Sequence, residues 1–229
     1  PGSSWQEFTA EWSAGSATFK HTGNYAYSTS FTYDTSCAGT LGDDETVAGA
    51  IHEFIMDDLT VTKTEIWEVE GLVSRVWFDV VNEGSDDVTD FRLMWASDWD
   101  QDRSDPSVTS TFNTINDVND DGDFDDVDGG MMAISEGPGS GRTVIMGSCD
   151  GETQSLGYSS PWDRDIDDAL SDMVDYDGSS VDAAAHWIAS GLEVAVDESL
   201  SFGFLVVVGE DADEAVEAYV EQAPILCTE

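Results

Sequence analysis

One twelve-residue segment, 117–128, places oxygen-bearing side chains at a regular set of positions. Counted from its first residue, positions 1, 3, 5, 7, 9 and 12 are occupied by Asp117, Asn119, Asp121, Asp123, Asp125 and Asp128. Position 6 is Gly122, which allows the sharp turn that a loop needs to surround an ion. Calcium is a hard cation that takes roughly six to eight oxygen ligands, and it is the cofactor that this spacing predicts.

The same segment resembles the calcium loops of EF-hands and of dockerin modules, and the latter often close with Asp instead of Glu. The resemblance implies that the carbonyl of Asp123 binds the ion, that Asp125 acts through a water, and that the other four side chains bind it directly. Neither flank, 110–116 or 129–130, has a helical pattern, and the segment occurs once. A helix-paired sensor and cohesin binding are therefore not predicted. The competing interpretation is a solvated acidic loop, and a bound ion would have a structural role.

A second acidic group has alternating spacing around Trp99 and consists of Asp98, Asp100 and Asp102. This pattern is compatible with another cation site, because alternate residues of an extended chain point the same way. A solvated loop is the favoured interpretation here, since acidic residues are abundant throughout the chain.

No catalytic constellation stands out from residue types and spacing. The histidines, His21, His52 and His186, are scattered and have no metal-binding spacing. Among 49 Asp and Glu residues, pairs of carboxylates are unavoidable and carry no information about glycoside cleavage. A non-catalytic protein is therefore predicted.

The chain carries a formal charge of -42, from 49 acidic and 7 basic residues among 229. Disorder requires few apolar residues, whereas 40% of this chain is hydrophobic and it has 8 Trp, so a folded core is expected. In molar salt the Debye length falls to about 3 Å, and most carboxylates no longer repel one another. The composition indicates a halophilic, haloarchaeal-type surface. Without a basic patch, neither nucleic acid nor an anionic membrane is an expected partner.

The cysteines, Cys37, Cys149 and Cys227, stand beside turn or tail residues. One disulfide and one spare thiol is the state expected of an exported protein, and the three pairings are left open. No stretch approaches the ~20 apolar residues of a membrane span. The chain opens at Pro1, which fits either a removed signal peptide or an artificial boundary. We expect an extracellular or cell-surface location.

Alternation of aromatic and β-branched residues with period two predicts strands over most of the chain. The clearest strands are Tyr25–Tyr33, Leu59–Glu70, Leu72–Val81, Val88–Ala96, Thr143–Met146, Ala183–Ala189, Leu192–Val196 and Leu200–Val208. The three strands between 59 and 96 are expected to form a meander, and Val47–Met56 is ambiguous between strand and helix. Helical spacing at Asp165–Tyr176 and Asp211–Gln222 predicts two short helices.

Many short strands separated by turns predict a mainly β fold, an antiparallel β-sandwich with a few short helices, including a C-terminal one. We divide the chain into an N-terminal strand segment, 1–36, which a neighbouring copy could exchange, and a sandwich domain, 37–229. The second unit contains the predicted calcium loop at 117–128.

Several short segments also resemble large sandwich domains of the galactose-mutarotase-like type, such as the N-terminal domain of glucoamylase-like enzymes. They are Val80–Gly84, Ser97–Asp100, Gly157–Tyr158 and Phe202–Gly209 followed by a predicted helix. The resemblance covers about 66–219 and implies a β-sandwich of the kind found beside sugar-active catalytic domains.

Two functions fit these features. The first, favoured by the sequence alone, is an extracellular structural protein that self-assembles into a filament or cell-surface layer by adding its N-terminal strand to a neighbour's sheet. The second is a carbohydrate-binding or accessory module of a secreted glycosidase, with a glycan as partner. Its stacking platform would come from Trp95, Trp99, Trp162 and Trp187, which otherwise pack in the core. A stand-alone hydrolase is a weaker third hypothesis.

We predict that chelation of calcium lowers the melting temperature, because the carboxylates of the 117–128 loop repel one another without an ion between them. Thermal melts with EGTA and with excess calcium measure the effect, and restored calcium should restore the wild-type curve. A melting curve unchanged by the chelator would contradict the calcium site.

Overall fold

The computed structural model describes residues 6–24, 32–40, 47–68, 71–99, 102, 110–117, 131–149, 153–159, 163 and 165–227. Within these ranges the chain forms fourteen strands and two helices. The strands are β1 (Gln6–Ala14), β2 (Ala17–Asn24), β3 (Thr32–Thr40), β4 (Val47–Met56), β5 (Leu59–Glu68), β6 (Val73–Asn82), β7 (Val88–Ser97), β8 (Thr111–Asp117), β9 (Met131–Glu136), β10 (Thr143–Ser148), β11 (Gln154–Ser159), β12 (Ser179–Val181), β13 (Ala184–Val194) and β14 (Ser199–Gly209). The helices are α1 (Ile166–Asp172) and α2 (Ala212–Leu226).

The strands form two antiparallel sheets that pack face to face. The five-stranded sheet has the order β11-β13-β7-β1-β2, and the nine-stranded sheet has the order β12-β8-β9-β10-β14-β6-β5-β4-β3. The predicted β-sandwich with a C-terminal helix is therefore confirmed. The ambiguous segment Val47–Met56 is a strand, β4, because its buried residues alternate with exposed ones.

The core between the sheets is rich in aromatic rings. Phe78 stands at its centre, with ring centroids 5.7 Å from Trp187 and 6.0 Å from Phe202. Trp187 also lies 4.7 Å from Phe204, across the two sheets. Because such rings each bury a large apolar area, this cluster accounts for much of the hydrophobic stabilisation.

The first two strands complete the five-stranded sheet of this chain. β1 pairs with β2 along one edge and with β7 along the other. Phe8, Ala10 and Trp12 of β1 are buried in the main core. Both edges of β1 are thus occupied within the chain, and exchange of the 1–36 segment with a neighbouring copy stays a prediction.

The expected meander through β5, β6 and β7 is wrong in its last strand. β6 pairs with β5 and β14, whereas β7 lies in the other sheet. Both edges of β6 are already filled, so the chain must leave the sheet after Asn82. The Asn82 side chain holds the crossing, since its amide donates to the carbonyls of Asp86 and Val194 at 3.0 Å.

The segments Ala183–Ala189 and Leu192–Val196 are one strand, β13, and not two. Its pairing with β7 shifts register between Ala189 and Leu192. Gly191 has φ +69 at this point, a left-handed conformation that glycine adopts without strain. A β-bulge therefore produces the interruption that the residue pattern suggested.

Helix α2 covers the outer face of the nine-stranded sheet. Its residues Ala215, Tyr219 and Ala223 are buried against Leu205 and Val207 of β14. The Tyr219 ring lies directly over Gly147 of β10, where a Cβ would meet the ring at 1.8 Å, so only glycine fits. A disulfide between Cys149 and Cys227 joins the end of β10 to the C-terminus of the helix.

Of the three cysteine pairings that the sequence left open, the structure has Cys149–Cys227. The backbone of Cys37 belongs to β3, and its side chain lies outside the described residues. Neither helix of the described chain has the length and hydropathy needed to cross a bilayer.

Two buried tyrosines offer a matched test of this packing. The Tyr219 hydroxyl donates to the carbonyl of Ser148 at 2.8 Å, whereas the buried Tyr158 hydroxyl has no hydrogen-bond partner in the described structure. We expect Tyr219→Phe to reduce the free energy of unfolding by about 1 kcal/mol and Tyr158→Phe to leave it unchanged or raise it. Chemical denaturation measures both, and equal losses in the two variants would contradict the assignment.

Candidate functional site

The predicted calcium loop connects β8 to β9. Asp117 is the last residue of β8, and it pairs with Met131, the first residue of β9. The other predicted ligands, Asn119, Asp121, Asp123, Asp125 and Asp128, lie outside the described residues. Where the structure does describe the chain, no group of three or more His, Cys, Asp or Glu side chains is arranged to hold a metal. The calcium site therefore stays a prediction.

The second acidic group is divided by the structure. Asp98 is buried at the end of β7, and Asp100 lies outside the described residues. The Asp102 carboxylate accepts hydrogen bonds from the backbone N–H groups of Gly139 and Ser140 at 2.8 and 2.9 Å. Hydrogen bonds from Ser140 and then Gly139 lower the pKa of Asp102. Asp102 thus holds the turn between β9 and β10, and a cation in this group is untested.

The acidic residues around α1 have a structural role. Asp165 caps the helix by accepting from the backbone N–H of Asp167 at 3.0 Å, and it also pairs with Lys20. Arg92 of β7 pairs with Asp167 and with Glu11. These ion pairs fasten α1 to the outer face of the five-stranded sheet.

The described tryptophans of the predicted sugar platform, Trp95, Trp99 and Trp187, do not share an exposed face. Trp95 and Trp187 are buried in the core, as the competing interpretation predicts. Trp99 is half-buried and packs against the same core, and Trp162 lies outside the described residues. An exposed indole is found elsewhere, at Trp67 near the end of β5, with 37% of its surface exposed.

Trp67 is one of the residues that line a groove between α2 and the β5–β6 hairpin, hereafter the α2 groove. The cavity has a volume of about 360 Å³. Its apolar wall includes Ile66, Trp67 and Leu72, and its polar groups include Arg75 from β6 with Glu221 and Gln222 from α2.

Strand register and helix periodicity place Ile66, Arg75, Glu221 and Gln222 on this side of the sheet, whereas Trp67 stands opposite Ser74 and lines the groove from the end of β5. Ile66 and Arg75 are directly opposite in the β5–β6 pair, so they share the outer face of the sheet. On α2, Tyr219 and Ala223 face the sheet, which leaves Glu221 and Gln222 on the rim of the groove.

Arg75 is held by an aromatic contact, and no carboxylate of the described residues pairs with it. Its guanidinium carbon lies 4.0 Å above the ring centroid of Trp77, two residues along β6. Trp77 stands opposite Gly203 of β14, where a Cβ would come within 2.4 Å of the indole. The missing side chain at Gly203 therefore makes room for the indole, and the indole in turn holds the guanidinium through a cation–π contact.

The α2 groove has the chemistry of a small polar-ligand site. An exposed indole face can cover the C–H face of a ring, while the guanidinium donates hydrogen bonds and the Glu221 carboxylate accepts them. The sequence does not predict this group of residues, because period two shows which residues share a face of the sheet but not which helix packs beside that face. The rarity of basic residues was the signal that could have pointed to Arg75, which is one of only 7 in the chain.

Two further polar side chains, Lys63 and His52, are buried inside the sandwich. Lys63 of β5 is fully buried, pairs with Glu65, and places its ammonium 3.8 Å from the ring centroid of Trp95. His52 of β4 stands directly opposite Lys63. Burial lowers the pKa of Lys63, and burial followed by the Lys63 charge lowers the pKa of His52. Because these groups are buried, we interpret them as core and not as a site.

Comparison with known proteins shows what fold this is. No model of a known protein family and no curated protein sequence matches the chain. A bacterial glucoamylase, solved in complex with acarbose, has a similar structure, with a TM-score of 0.51 and 12% identity over 96% of this chain. A polysaccharide lyase is similar with a TM-score of 0.53 and 12% identity over 95% of this chain.

This chain spans 28% of the length of each of those two proteins. At such low identity the similarity shows a shared fold. The resemblance to the sandwich domain of glucoamylase-like enzymes is therefore confirmed as a fold. The haloarchaeal-type surface and the dockerin-like loop stay predictions.

The buried His52 makes stability depend on pH. Its pKa is lowered in the folded chain, so below the usual histidine pKa of about 6.5 the unfolded chain binds a proton that the folded chain does not. Stability should fall from pH 7.5 to pH 5.5 by less in His52→Gln than in wild type. Urea unfolding at both pH values measures this, and equal falls in the two proteins would contradict it. Burial also lowers the pKa of His186, so this histidine should contribute in the same direction.

Proposed function

We propose that this chain is a non-catalytic, carbohydrate-binding accessory module that holds a glycan in the α2 groove. The observation that carries the proposal is a groove lined by Trp67, which is 37% exposed, together with Arg75, Glu221 and Gln222. The groove's volume of about 360 Å³ lies within the roughly 300–1,000 Å³ range of small-molecule sites.

The lining matches the two kinds of surface that a sugar ring presents. One face of a pyranose carries C–H groups and packs on an aromatic ring, which is the part that Trp67 would supply. The ring edges carry hydroxyls, which both donate and accept hydrogen bonds. Arg75 offers donors, Glu221 offers acceptors, and the amide of Gln222 offers both.

The shared fold supports an accessory role. The two similar structures are a glucoamylase and a polysaccharide lyase, and both are much longer than this chain. Cleavage of a glycoside by the usual mechanism uses two carboxylic acids at a set separation. Among the described residues that line the α2 groove, Glu221 is the single carboxylate, which favours binding over cleavage.

The other sequence predictions fit this proposal as properties of an exported module. A disulfide between Cys149 and Cys227 is typical of an oxidising, extracellular environment. The carboxylate surface would keep the module soluble in concentrated salt, and calcium would order the connection between β8 and β9.

The self-assembling filament subunit is the competing hypothesis. It relies on the N-terminal strand adding to a neighbour's sheet, and both edges of β1 are already paired within the chain. We therefore place the glycan-binding module first.

We predict that Trp67→Ala weakens glycan binding by at least about tenfold, because it removes the stacking surface, and that Trp67→Phe keeps most of the affinity. Trp67 is outside the buried core, so both variants should fold. Calorimetric titration against a panel of soluble polysaccharides in molar salt measures the affinity.

Phe112→Ala is the matched control, because Phe112 is a similarly exposed aromatic residue, at 38%, in a different cavity on α2. It should bind like wild type. Undiminished binding by Trp67→Ala, or an equal loss in Phe112→Ala, would rule out the α2 groove as the site.

A further inference from the structure

We propose that the α2 groove selects an acidic glycan, in which a sugar carboxylate such as that of a uronic acid pairs with the guanidinium of Arg75. This inference rests on the proposed function and adds the class of ligand. The feature on which it depends is that Arg75 has no acidic partner among the described residues.

Among the described lysines and arginines, Arg75 and Arg142 make no ion pair, and Arg142 is exposed whereas Arg75 is half-buried. Lys20 pairs with Glu11 and Asp165, Lys63 with Glu65, and Arg92 with Glu11 and Asp167. In the described structure Arg75 makes no ion pair, and its buried Nε has no acceptor. A chain with a charge of -42 offers carboxylates almost everywhere, so an unpaired arginine inside a groove indicates an external partner.

The guanidinium is already positioned to receive that partner. The guanidinium lies over the Trp77 ring at 4.0 Å, and Gly203 leaves room for that ring. The Nε is sealed from solvent, so the terminal nitrogens are the atoms that a ligand can reach. A planar guanidinium presents these donors in a fork that matches the two oxygens of a carboxylate. Little side-chain entropy remains to be lost when the pair forms.

Glu221 on the α2 rim of the groove would orient the ligand. Its carboxylate would repel an acidic group placed on the α2 side and accept hydrogen bonds from hydroxyls there. A uronate therefore fits with its carboxylate toward Arg75 of β6, its ring beside Trp67, and its hydroxyls toward α2. A neutral sugar would leave the partly buried guanidinium without a charged partner, which costs binding energy.

The test compares acidic oligosaccharides with their methyl esters, which keep the ring and linkage but remove the charge. Calorimetric titrations use oligomers of galacturonate, glucuronate and mannuronate, in molar salt so that the net charge of the protein is screened. Wild type should bind at least one acid at least about tenfold more tightly than its ester.

Arg75→Gln should lose that preference, binding the acid about tenfold more weakly while its affinity for the ester changes little. Arg75→Lys should be intermediate, because an ammonium pairs as a point charge and not as a fork. Arg142→Gln removes the same charge from an exposed position outside the groove and should behave as wild type.

The outcomes separate the two proposals. Equal binding of acid and ester by wild type, or equal losses of both in Arg75→Gln, would overturn the acidic-glycan inference and leave the glycan-binding module standing. Binding of no oligosaccharide or polysaccharide would overturn both. If Arg75→Gln fails to fold, the acid-to-ester ratio of the wild-type protein alone decides the inference.

Discussion

The central strand β14 has no face that can be left to solvent. Its middle residues, Phe202–Leu205, are buried, with Phe204 toward the five-stranded sheet and Leu205 toward α2. A strand that is apolar on both faces must be packed against other elements on both sides. In this chain the five-stranded sheet packs on one face of β14 and helix α2 on the other. The rest of the architecture follows from that requirement. The helix is narrower than the sheet it covers, so the outer faces of β5 and β6 beside it stay partly open and form the α2 groove.

Two glycines, Gly147 and Gly203, determine how closely aromatic side chains approach the nine-stranded sheet. Tyr219 can lie flat on β10 because residue 147 is glycine, and Trp77 can lie flat on β14 because residue 203 is glycine. Both aromatic rings are thereby fixed against backbone, and the disulfide at Cys227 holds the far end of α2. A binding surface built on such supports needs little reorganisation when a ligand arrives, which favours affinity.

The sequence predicted the elements of this fold better than their partners. Periodicity identifies β5, β6, β14 and α2, because period two and period 3.6 are local properties of a chain. It cannot show that β14 occupies the second edge of β6, since that pairing joins residues more than a hundred positions apart. The same limit applies to the site. Trp67, Arg75 and Glu221 come from three elements, and only the docking of α2 brings them together.

An anionic ligand is compatible with an anionic protein because the two electrostatic effects act over different distances. The charge of -42 acts through its long-range field, and salt removes that field within a few ångströms, about 3 Å at molar ionic strength. The contact between a guanidinium and a carboxylate is made at hydrogen-bond distance, in a groove that excludes part of the solvent, and is screened much less. Concentrated salt would thus suppress the repulsion between protein and polyanion more than the attraction at Arg75. A surface rich in carboxylates is therefore compatible with the proposed recognition of an acidic sugar at Arg75 in concentrated salt.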